Sequence, residues 1–414
     1  MKKKICIATG TRAEYGLFYP LLKRLEASDM FNLQIVATGM HLSPEFGLTY
    51  REIEKDGLAI NEKVEMLLSS DTSTGITKSI GIGILSFADV FERLNPDLLM
   101  VLGDRFETFA AALSAFMERI PIAHLHGGEL TEGAIDDALR HSITKMSYLH
   151  FTSTEEYRRR VVQLGESPDR VFNVGALGLD NMNEIKPLSR EELEGRLNFK
   201  FHHKTALLTY HPVTLENDSP EKQFKELLNA LGDIKELKVI FTKPNADAGG
   251  RVIIKMIDEY ERNNPDKAVS FLSMGTLNYL SAMKYADLVI GNSSSGIIEF
   301  PFFGKPTVNI GDRQKGRIRA ESVIDCRPVK DDIAASIQKA LSEDFRGLCK
   351  NTKNPYGDAG TSERIVTILE KELSKPMNLK KRFFDIKNLF PDDMSSGKPA
   401  DTGDVDAEEK YFYC

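Results

Sequence analysis

A chain of 414 residues is longer than a single hydrophobic core usually spans, so its length predicts two domains. Its 41% hydrophobic and 28% charged residues are typical of a globular protein, and the formal net charge of −7 argues against broad nucleic-acid binding. The apolar run at residues 5–8 is too short for a signal peptide or a membrane span, and the four scattered cysteines lack metal-binding spacing. We expect a cytoplasmic protein with reduced thiols and no membrane contact.

Short apolar runs alternate with longer amphipathic stretches, and this alternation predicts parallel strands joined by helices. In the first part of the chain, strands are predicted at residues 4–9, 33–38, 98–102, 122–125 and 150–152. The helices predicted between them cover residues 15–27, 79–94, 106–119, 134–146 and 154–164. The run at 98–102 has no polar alternation, which predicts a strand buried on both faces.

The same pattern restarts near Gly175, where we place the domain boundary. Strands are predicted at residues 171–175, 205–209, 237–242, 268–272, 288–290 and 306–309, and helices at 187–197, 219–231, 250–263 and 276–284. We therefore expect an α/β fold with an N-terminal domain over 1–174 and a C-terminal domain over 175–375, whose last helix at 361–373 closes the fold. Residues 376–414 mix basic and acidic stretches and are predicted to be a loosely held tail.

The segment from Gly291 to Glu299 carries three consecutive serines between a predicted strand and the next amphipathic stretch. Backbone N–H groups and small hydroxyls at a helix N-terminus favour anions such as phosphate. Glu299 would repel a phosphate, and it fits the two hydroxyls of a ribose instead. The segment thus predicts a nucleoside diphosphate, while an ordinary serine-capped helix is an equally weighted alternative.

Other polar side chains follow the ends of predicted strands in both halves. Gly10-Thr11-Arg12-Ala13-Glu14 is not a dinucleotide fingerprint, and Arg12 suggests a phosphate held by a guanidinium group. The alternative is a salt bridge between Arg12 and Glu14. In the second half, His211 precedes a proline that turns the chain toward the cleft, Asn245 lies in a polar loop, and Arg313 brings a cation near the serine turn.

Asp104 follows the strand predicted at 98–102, either as a site residue or as a cap of the next helix. The segments 124–129 and 135–141 then contain three histidines, three carboxylates, including Glu129 and Asp136, and one arginine. Such a cluster could bind a divalent metal or perform acid–base catalysis. We favour acid–base catalysis without a metal, because the segment has no HExxH pattern.

Seven short segments occur in order along the chain, at residues 10–15, 103–106, 126–129, 135–141, 211–214, 291–294 and 311–314. Together they resemble the hydrolysing UDP-N-acetylglucosamine 2-epimerases of the bacterial sialic and legionaminic acid pathways. The resemblance implies two Rossmann-like domains facing across a cleft, the GT-B type of fold, without a cofactor. It implies that UDP is bound by Arg12, Asn245, Ser293, Ser294, Glu299 and Arg313, and that the reacting centre is lined by Asp104, Glu129, Asp136 and His211.

The implied reaction converts UDP-N-acetylglucosamine to N-acetylmannosamine and UDP, by elimination of UDP to a 2-acetamidoglucal followed by hydration. Asp104 and Glu129 would be the acid–base groups, Asp136 would orient them or share a proton, and His211 would contact phosphate or sugar oxygens. Similar proteins carry a carboxylate either at position 126 or at position 129, so the assignment of acid and base stays open.

Three alternatives remain at this point. The same reaction on UDP-2,4-diacetamido-2,4,6-trideoxyhexose, the legionaminic acid precursor, would use the same motifs. A GT-B glycosyltransferase or a UDP-sugar sensor would also explain the serine turn. The resemblance further implies a homo-oligomer, a dimer or a tetramer.

Overall fold

The computed structural model describes residues 2–70, 72–132, 134–202, 204–213, 219–244 and 249–386. Within these ranges the chain forms two parallel β-sheets of seven and six strands, with helices on both faces of each sheet. The predicted fold class, two α/β domains on either side of a cleft, is therefore confirmed.

The first sheet has the strand order β3-β2-β1-β4-β5-β6-β7, and every neighbouring pair is parallel. Its strands are β1 Lys3–Thr9, β2 Phe31–Thr38, β3 Glu62–Val64, β4 Leu98–Leu102, β5 Ile122–Leu125, β6 Leu149–Thr152 and β7 Val171–Asn173. Its helices are α1 Arg12–Ala27, α2 Tyr50–Lys55, α3 Ser73–Leu94, α4 Phe106–Met117, α5 Asp136–Met146 and α6 Glu155–Gln163. The strand order reverses between β1 and β4, so the loops that follow these strands diverge and open a crevice at the sheet edge.

The second sheet repeats this design with the order β10-β9-β8-β11-β12-β13. Its strands are β8 Thr205–Thr209, β9 Lys238–Thr242, β10 Ala268–Phe271, β11 Leu288–Gly291, β12 Thr307–Ile310 and β13 Val323–Cys326. The remaining helices are α7 Asp180–Glu184, α8 Arg190–Leu197, α9 Pro220–Asp233, α10 Gly250–Asn263, α11 Gly275–Tyr285, α12 Ser295–Ile298, α13 Lys330–Leu341, α14 Glu343–Cys349 and α15 Thr361–Leu373. Here the order reverses between β8 and β11.

Strand β4 illustrates why the central strands could be predicted. All five of its side chains are buried, because helices cover both faces of the sheet. A parallel sheet with two covered faces requires continuous apolar strands. The apolar side chains of β4 accordingly alternate between the two hydrophobic clusters of the first domain.

Helix α15 differs from its predicted placement. It forms over the predicted residues, but its buried side chains Ile365, Leu369 and Leu373 pack in the core of the first domain, beside α1. The sequence division assigned this helix to the second domain, and the packing corrects that assignment. The amphipathic pattern predicts a helix but cannot predict the domain that covers it. The boundary near Gly175 lies between β7 and β8 and stays a proposal.

The segment after α15 also differs from the prediction of a loosely held tail. The Lys381 Nζ atom donates to Glu166 Oε2 at 2.7 Å and to the carbonyl oxygens of Lys145 and Ser147 at 2.8 and 2.6 Å. The backbone N–H of Phe384 donates to the carbonyl of Gly165 at 2.9 Å. Residues 376–386 are therefore fixed to the first domain, and the rest of the predicted tail lies outside the described residues.

One helix in the described part of the chain, α3, is long and apolar enough to cross a membrane by length and composition alone. A core helix of a globular domain passes the same test. The side chains of Phe87, Val90 and Phe91 on α3 are buried in the first domain, against apolar residues of α4.

Candidate active site

A cavity of about 150 Å³ lies between the two domains, at the carboxyl ends of both sheets. The first domain contributes the start of α1, and the second contributes residues that follow β8, β9 and β11. Five of the predicted site residues line this cavity: Arg12, His211, Ser293, Ser294 and Glu299. Four others, Asp104, Glu129, Asp136 and Arg313, are not part of its lining, and Asn245 lies outside the described residues.

Arg12 is the first residue of α1, and the cap of that helix orients it. Thr11 and Glu14 form a capping box, and the Glu14 carboxylate also accepts the Gly10 N–H at 2.7 Å. The Glu14 carboxylate thus caps its own helix and accepts the Thr108 hydroxyl, and the alternative of an Arg12–Glu14 salt bridge is wrong for the described residues. Among those residues the Arg12 Nη1 atom is buried without a hydrogen-bond partner, and burial lowers the pKa of this guanidinium. An unmet buried donor costs about 1–3 kcal/mol, which an acceptor on a ligand would offset.

A second carboxylate lies beneath the same loop. Glu107 is buried and forms an ion pair with Arg105, at 3.1 Å between Nε and Oε2. A Cβ atom added to Gly10 would lie 3.0 Å from the Cβ of Glu107 and 3.3 Å from the Glu14 carboxylate, so the three groups are in close contact. Burial, together with the charge of Glu107, raises the pKa of Glu14 to about 7.

The serine turn after β11 is fixed by the residue that precedes it. The Asn292 side chain accepts the backbone N–H of His211 at 2.7 Å and donates to the His211 carbonyl at 2.8 Å. Arg313 and Gln314 donate to the Asn292 carbonyl at 3.1 and 2.8 Å. These bonds join the loops after β8, β11 and β12. Asn292 and Gln314 lie inside two of the seven segments that resemble the epimerases, but the sequence pattern alone does not indicate their role.

Gly291 is the position in this turn that requires glycine. Its φ is +132°, and an added Cβ would collide with the carbonyl oxygen of Thr209 on the neighbouring strand β8. Any side chain here would push the two central strands apart and displace the serines.

Glu299 lies at the end of α12, buried against Gly178, where an added Cβ would be 2.5 Å from its Oε1 atom. Burial raises the pKa of Glu299, and a hydrogen bond from Ser295 acts against this effect. The Tyr279 hydroxyl donates in turn to the Ser295 hydroxyl at 2.9 Å, so hydrogen bonds connect Tyr279 through Ser295 to Glu299. Glu299 therefore offers hydrogen-bond acceptors at the cavity wall, as a ribose would require.

The second part of the site centres on Glu129, which is 1% exposed. Its Oε1 atom accepts the Ser153 hydroxyl at 2.8 Å and lies 2.9 Å from His126 Nδ1, and its Oε2 atom lies 3.0 Å from Arg317 Nη2. Burial alone would raise the pKa of Glu129, but Arg317, His126 and Arg140 together hold it well below its ordinary value. Glu129 is therefore ionised and a weak proton acceptor while these contacts exist.

His126 connects this carboxylate to the linker between the domains. Its Nε2 atom accepts the backbone N–H of Leu177 at 3.3 Å, so the proton of a neutral ring lies on Nδ1 and faces Glu129. The φ of His126 is +63°, an uncommon conformation for a residue with a side chain. Such strain is typical of functional sites, where surrounding contacts stabilise it.

Asp104 is bound by Arg140, a fully buried arginine on α5. Arg140 also donates to the carbonyl of Glu129 at 2.9 Å, so it connects the two carboxylates. The alternative of Asp104 as a helix cap is wrong, because the cap residue of α4 is Arg105, without a side-chain hydrogen bond. Asp136 is the first residue of α5, one helical turn before Arg140 and on the same face.

The histidines of residues 124–141 have separate partners. His124 bonds to Thr144 and to the Gly103 carbonyl, and burial lowers its pKa to about 3. His141 lies 3.5 Å from Asp137. In the part of the chain that the structure describes, no group of three His, Cys, Asp or Glu side chains could hold a metal ion.

Comparison with known proteins agrees with this architecture. The model of the UDP-N-acetylglucosamine 2-epimerase family matches residues 23–370. The chain belongs to this family. The resemblance stated from the sequence motifs is therefore confirmed.

Similar proteins cover nearly the whole chain. The GDP/UDP-N,N′-diacetylbacillosamine 2-epimerase (hydrolyzing) of Campylobacter jejuni is 44% identical, over 93% of this chain and 100% of that protein. The polysialic acid biosynthesis protein P7 of Escherichia coli is 39% identical, over 93% and 98% of the two chains. The UDP-N,N′-diacetylbacillosamine 2-epimerase (hydrolyzing) of Legionella pneumophila is 38% identical, over 89% and 96%.

A solved structure of the family has the same fold. The crystal structure of UDP-GlcNAc 2-epimerase from Neisseria meningitidis, bound to UDP-GlcNAc, superposes with a TM-score of 0.74 at 20% identity. The match covers 89% of this chain and 100% of that one. The GT-B-type arrangement of the two domains is thereby confirmed.

Proposed function

We propose that this protein is a hydrolysing 2-epimerase, which eliminates UDP from a UDP-2-acetamido sugar and hydrates the resulting glucal with inversion at C2. The observation that carries the proposal is one loop of the second domain, which follows β12. Arg313 and Gln314 of this loop contact Asn292 beside the serine turn, and Arg317 contacts Glu129. The loop thus joins the predicted diphosphate site to the carboxylates of the predicted reacting centre.

The roles that we propose for the site residues follow from their charges. Arg12, Arg313 and the hydroxyls of Ser293 and Ser294 stabilise the negative charge that develops on the departing UDP. Glu299 accepts hydrogen bonds from the ribose, and Asn245 completes the nucleotide site by resemblance. His211 lies beside the serine turn and contacts phosphate or sugar oxygens.

Proton transfer requires a carboxylate with access to the sugar. Glu129 is enclosed by three partners and ionised, whereas the Asp104 side chain is 20% exposed and has Arg140 as its ion-pair partner. We therefore assign the abstraction of the C2 proton to Asp104, with Asp136 orienting it or sharing the proton. Glu129 stabilises positive charge and acts in the hydration step.

For the substrate, we propose the UDP-2,4-diacetamido-2,4,6-trideoxyhexose first. N,N′-diacetylbacillosamine is such a sugar, and it appears in the names of the Campylobacter and Legionella relatives. UDP-N-acetylglucosamine is the second candidate, because the family description names it. The comparisons do not favour a glycosyltransferase.

Incubation of the protein with each UDP-sugar alone in D₂O, followed by NMR, tests the reaction. Deuterium at C2 of a free 2-epimeric sugar is the expected result, with a higher kcat/KM for the diacetamido sugar. An intact substrate would instead support a transferase or a sensor.

Variants test the assignment of the carboxylates. Asp104→Asn and Glu129→Gln should each lower kcat about 100-fold or more. Asp29→Asn, at an exposed carboxylate far from the cleft, is the matched control and should retain full activity. Near-normal UDP release by both site variants would contradict the assignment.

We also propose a cytoplasmic homo-oligomer, a dimer or a tetramer. Light scattering at two protein concentrations tests the assembly state.

A further inference from the structure

Arg317 is the only described cation of the second domain that forms an ion pair with Glu129. It is 8% exposed, and its Nε atom donates to the carbonyl of Leu130 at 3.2 Å. The preceding residue, Gly316, has a φ of +86°, and an added Cβ would lie 2.7 Å from the Cβ of Leu130. The loop after β12 therefore packs directly against the loop after β5, and Gly316 permits this close approach because it has no side chain.

The groups around Glu129 divide by domain. The polar and charged groups that face it or influence its charge are His126, Arg140, Ser153 and Tyr157 of the first domain, and Glu299, Arg317 and Tyr356 from the chain beyond β8. Asp104 in turn faces Arg317. Of these groups Arg317 is the one cation that the second domain supplies, so separation of the domains would remove the largest single stabilisation of the Glu129 anion.

The ion pair also has a feature that a purely structural contact would not need. Among the described residues the Arg317 Nη1 atom is buried without a hydrogen-bond partner. An unmet buried donor destabilises a folded protein, and natural cores usually avoid it. Its presence beside two carboxylates of the proposed reacting centre favours a functional role for this arginine.

We propose that Arg317 is a positioning residue that couples the contact between the two domains to the charge and orientation of Glu129. With the loops in contact, the guanidinium holds the carboxylate ionised, with Oε2 toward Arg317 and Oε1 toward His126. When the contact breaks, Glu129 loses the cation that contributes most to stabilising its charged form, so its affinity for a proton rises. The role in turnover rests on the proposed function, because Glu129 must belong to the reacting centre.

The pH dependence of UDP release by Arg317→Gln tests this coupling. Removal of the cation should move the acidic limb of the kcat profile upward by about one pH unit or more and lower kcat more than about tenfold, with KM changed less than about threefold. Arg317→Lys should recover part of the shift, since a charge remains. A lowered kcat with an unmoved acidic limb would reduce Arg317 to a structural contact and overturn the proposal.

Arg251→Gln is the matched control. Arg251 forms an ion pair with Glu45 across the same cleft, with distances of 2.8 and 2.9 Å, but at an exposed position remote from Glu129. Its removal deletes one exposed ion pair between the domains and leaves the Arg317 loop in contact with Glu129. The acidic limb should therefore stay in place, and a shift equal to that of Arg317→Gln would contradict the specific coupling.

Urea unfolding between pH 4 and pH 8 tests the coupling without any substrate. In the wild type, the lowered pKa of Glu129 contributes stability above pH 4.5 that is lost toward acid. In Arg317→Gln, burial raises the pKa of Glu129, so stability should instead fall as the pH rises through the new value. If Arg317→Gln does not fold, the double variant with Glu129→Gln, which leaves no buried charge, should fold.

The kinetic and the unfolding measurements distinguish failure of the proposed function from failure of the proposed coupling. Absence of UDP release by the wild type would remove the proposed function, while a steeper loss of stability with rising pH in Arg317→Gln than in the wild type would still support the ion-pair coupling, because the contribution of Glu14 is common to both. Parallel slopes in the wild type and the variant would remove the coupling, whatever the activity.

Discussion

Removal of the Asp180 carboxylate tests how the last helix is fixed at the junction of the domains. Asp180 is 1% exposed and accepts three backbone N–H groups from the first turn of α15. Gly360 and Thr361 donate to Oδ1 at 2.6 and 2.9 Å, and Ser362 donates to Oδ2 at 2.6 Å. A carboxylate at a helix N-terminus is also favoured by the helix dipole.

The magnitude follows from the number of donors left unmet. Asp180→Ala leaves three N–H groups without their acceptor, at about 1–3 kcal/mol for each donor that water cannot reach, so we expect a loss of about 3–5 kcal/mol. Asp180→Asn keeps an oxygen for Gly360 and Thr361 but turns an NH₂ group toward Ser362. Its loss should be smaller, at about 1–3 kcal/mol.

Urea unfolding followed by circular dichroism measures both variants, since the chain has no tryptophan. Asp29→Asn, at an exposed carboxylate, is the control and should change the unfolding free energy by less than about 0.5 kcal/mol. A loss below about 1 kcal/mol for Asp180→Ala, or an equal loss for both variants, would refute the reasoning from hydrogen bonds.

Three further predictions concern the cleft, the core and the pH dependence of stability. Arg12→Met should weaken UDP binding about tenfold or more in calorimetric titration with little change in stability, since Arg12 Nη1 has no partner among the described residues; lost stability with unchanged affinity would contradict this. Leu369→Ala in α15 should cost about 2–5 kcal/mol in urea unfolding, whereas Leu348→Ala at an exposed position should cost far less. The pKa of Glu14 rises from 4.5 to about 7 on folding, so the wild type should lose stability as the pH rises from 5 to 8. Glu14→Gln should flatten this dependence of the unfolding free energy on pH. An unchanged slope would exclude Glu14 as its cause.

The central strands could be predicted from the sequence, and the edge strands could not. The bounds of β4, β5 and β8 agree with the prediction, because each is a short, mainly apolar run between turn residues. Strands β3 and β13 were missed. Glu62–Val64 has three residues, and Val323–Cys326 is partly exposed, so both are strands mainly because the neighbouring strands β2 and β12 offer them backbone partners.

The meeting of candidate residues at the cleft could be predicted more fully than the contacts between them. Parallel strands bring their carboxyl ends to one edge, so polar residues after β1, β8 and β11 could be expected to meet, and they do in the cavity. The pairs Arg317–Glu129 and Asn292–His211 depend on how loops and domains are placed relative to one another. No local pattern carries that information, and the same holds for the packing of α15 on the first domain.

The return of the chain to its first domain has a consequence for recombination among related proteins. Because α15 packs beside α1, a chimera joined at a single point near Gly175 would combine the N-terminal half of one parent with the final helix of the other. The interface between α1 and α15 in such a chimera would contain side chains that never evolved together. Exchange of substrate preference between relatives should therefore succeed more often with two junctions, one on each side of the second sheet, so that α1 and α15 share a parent.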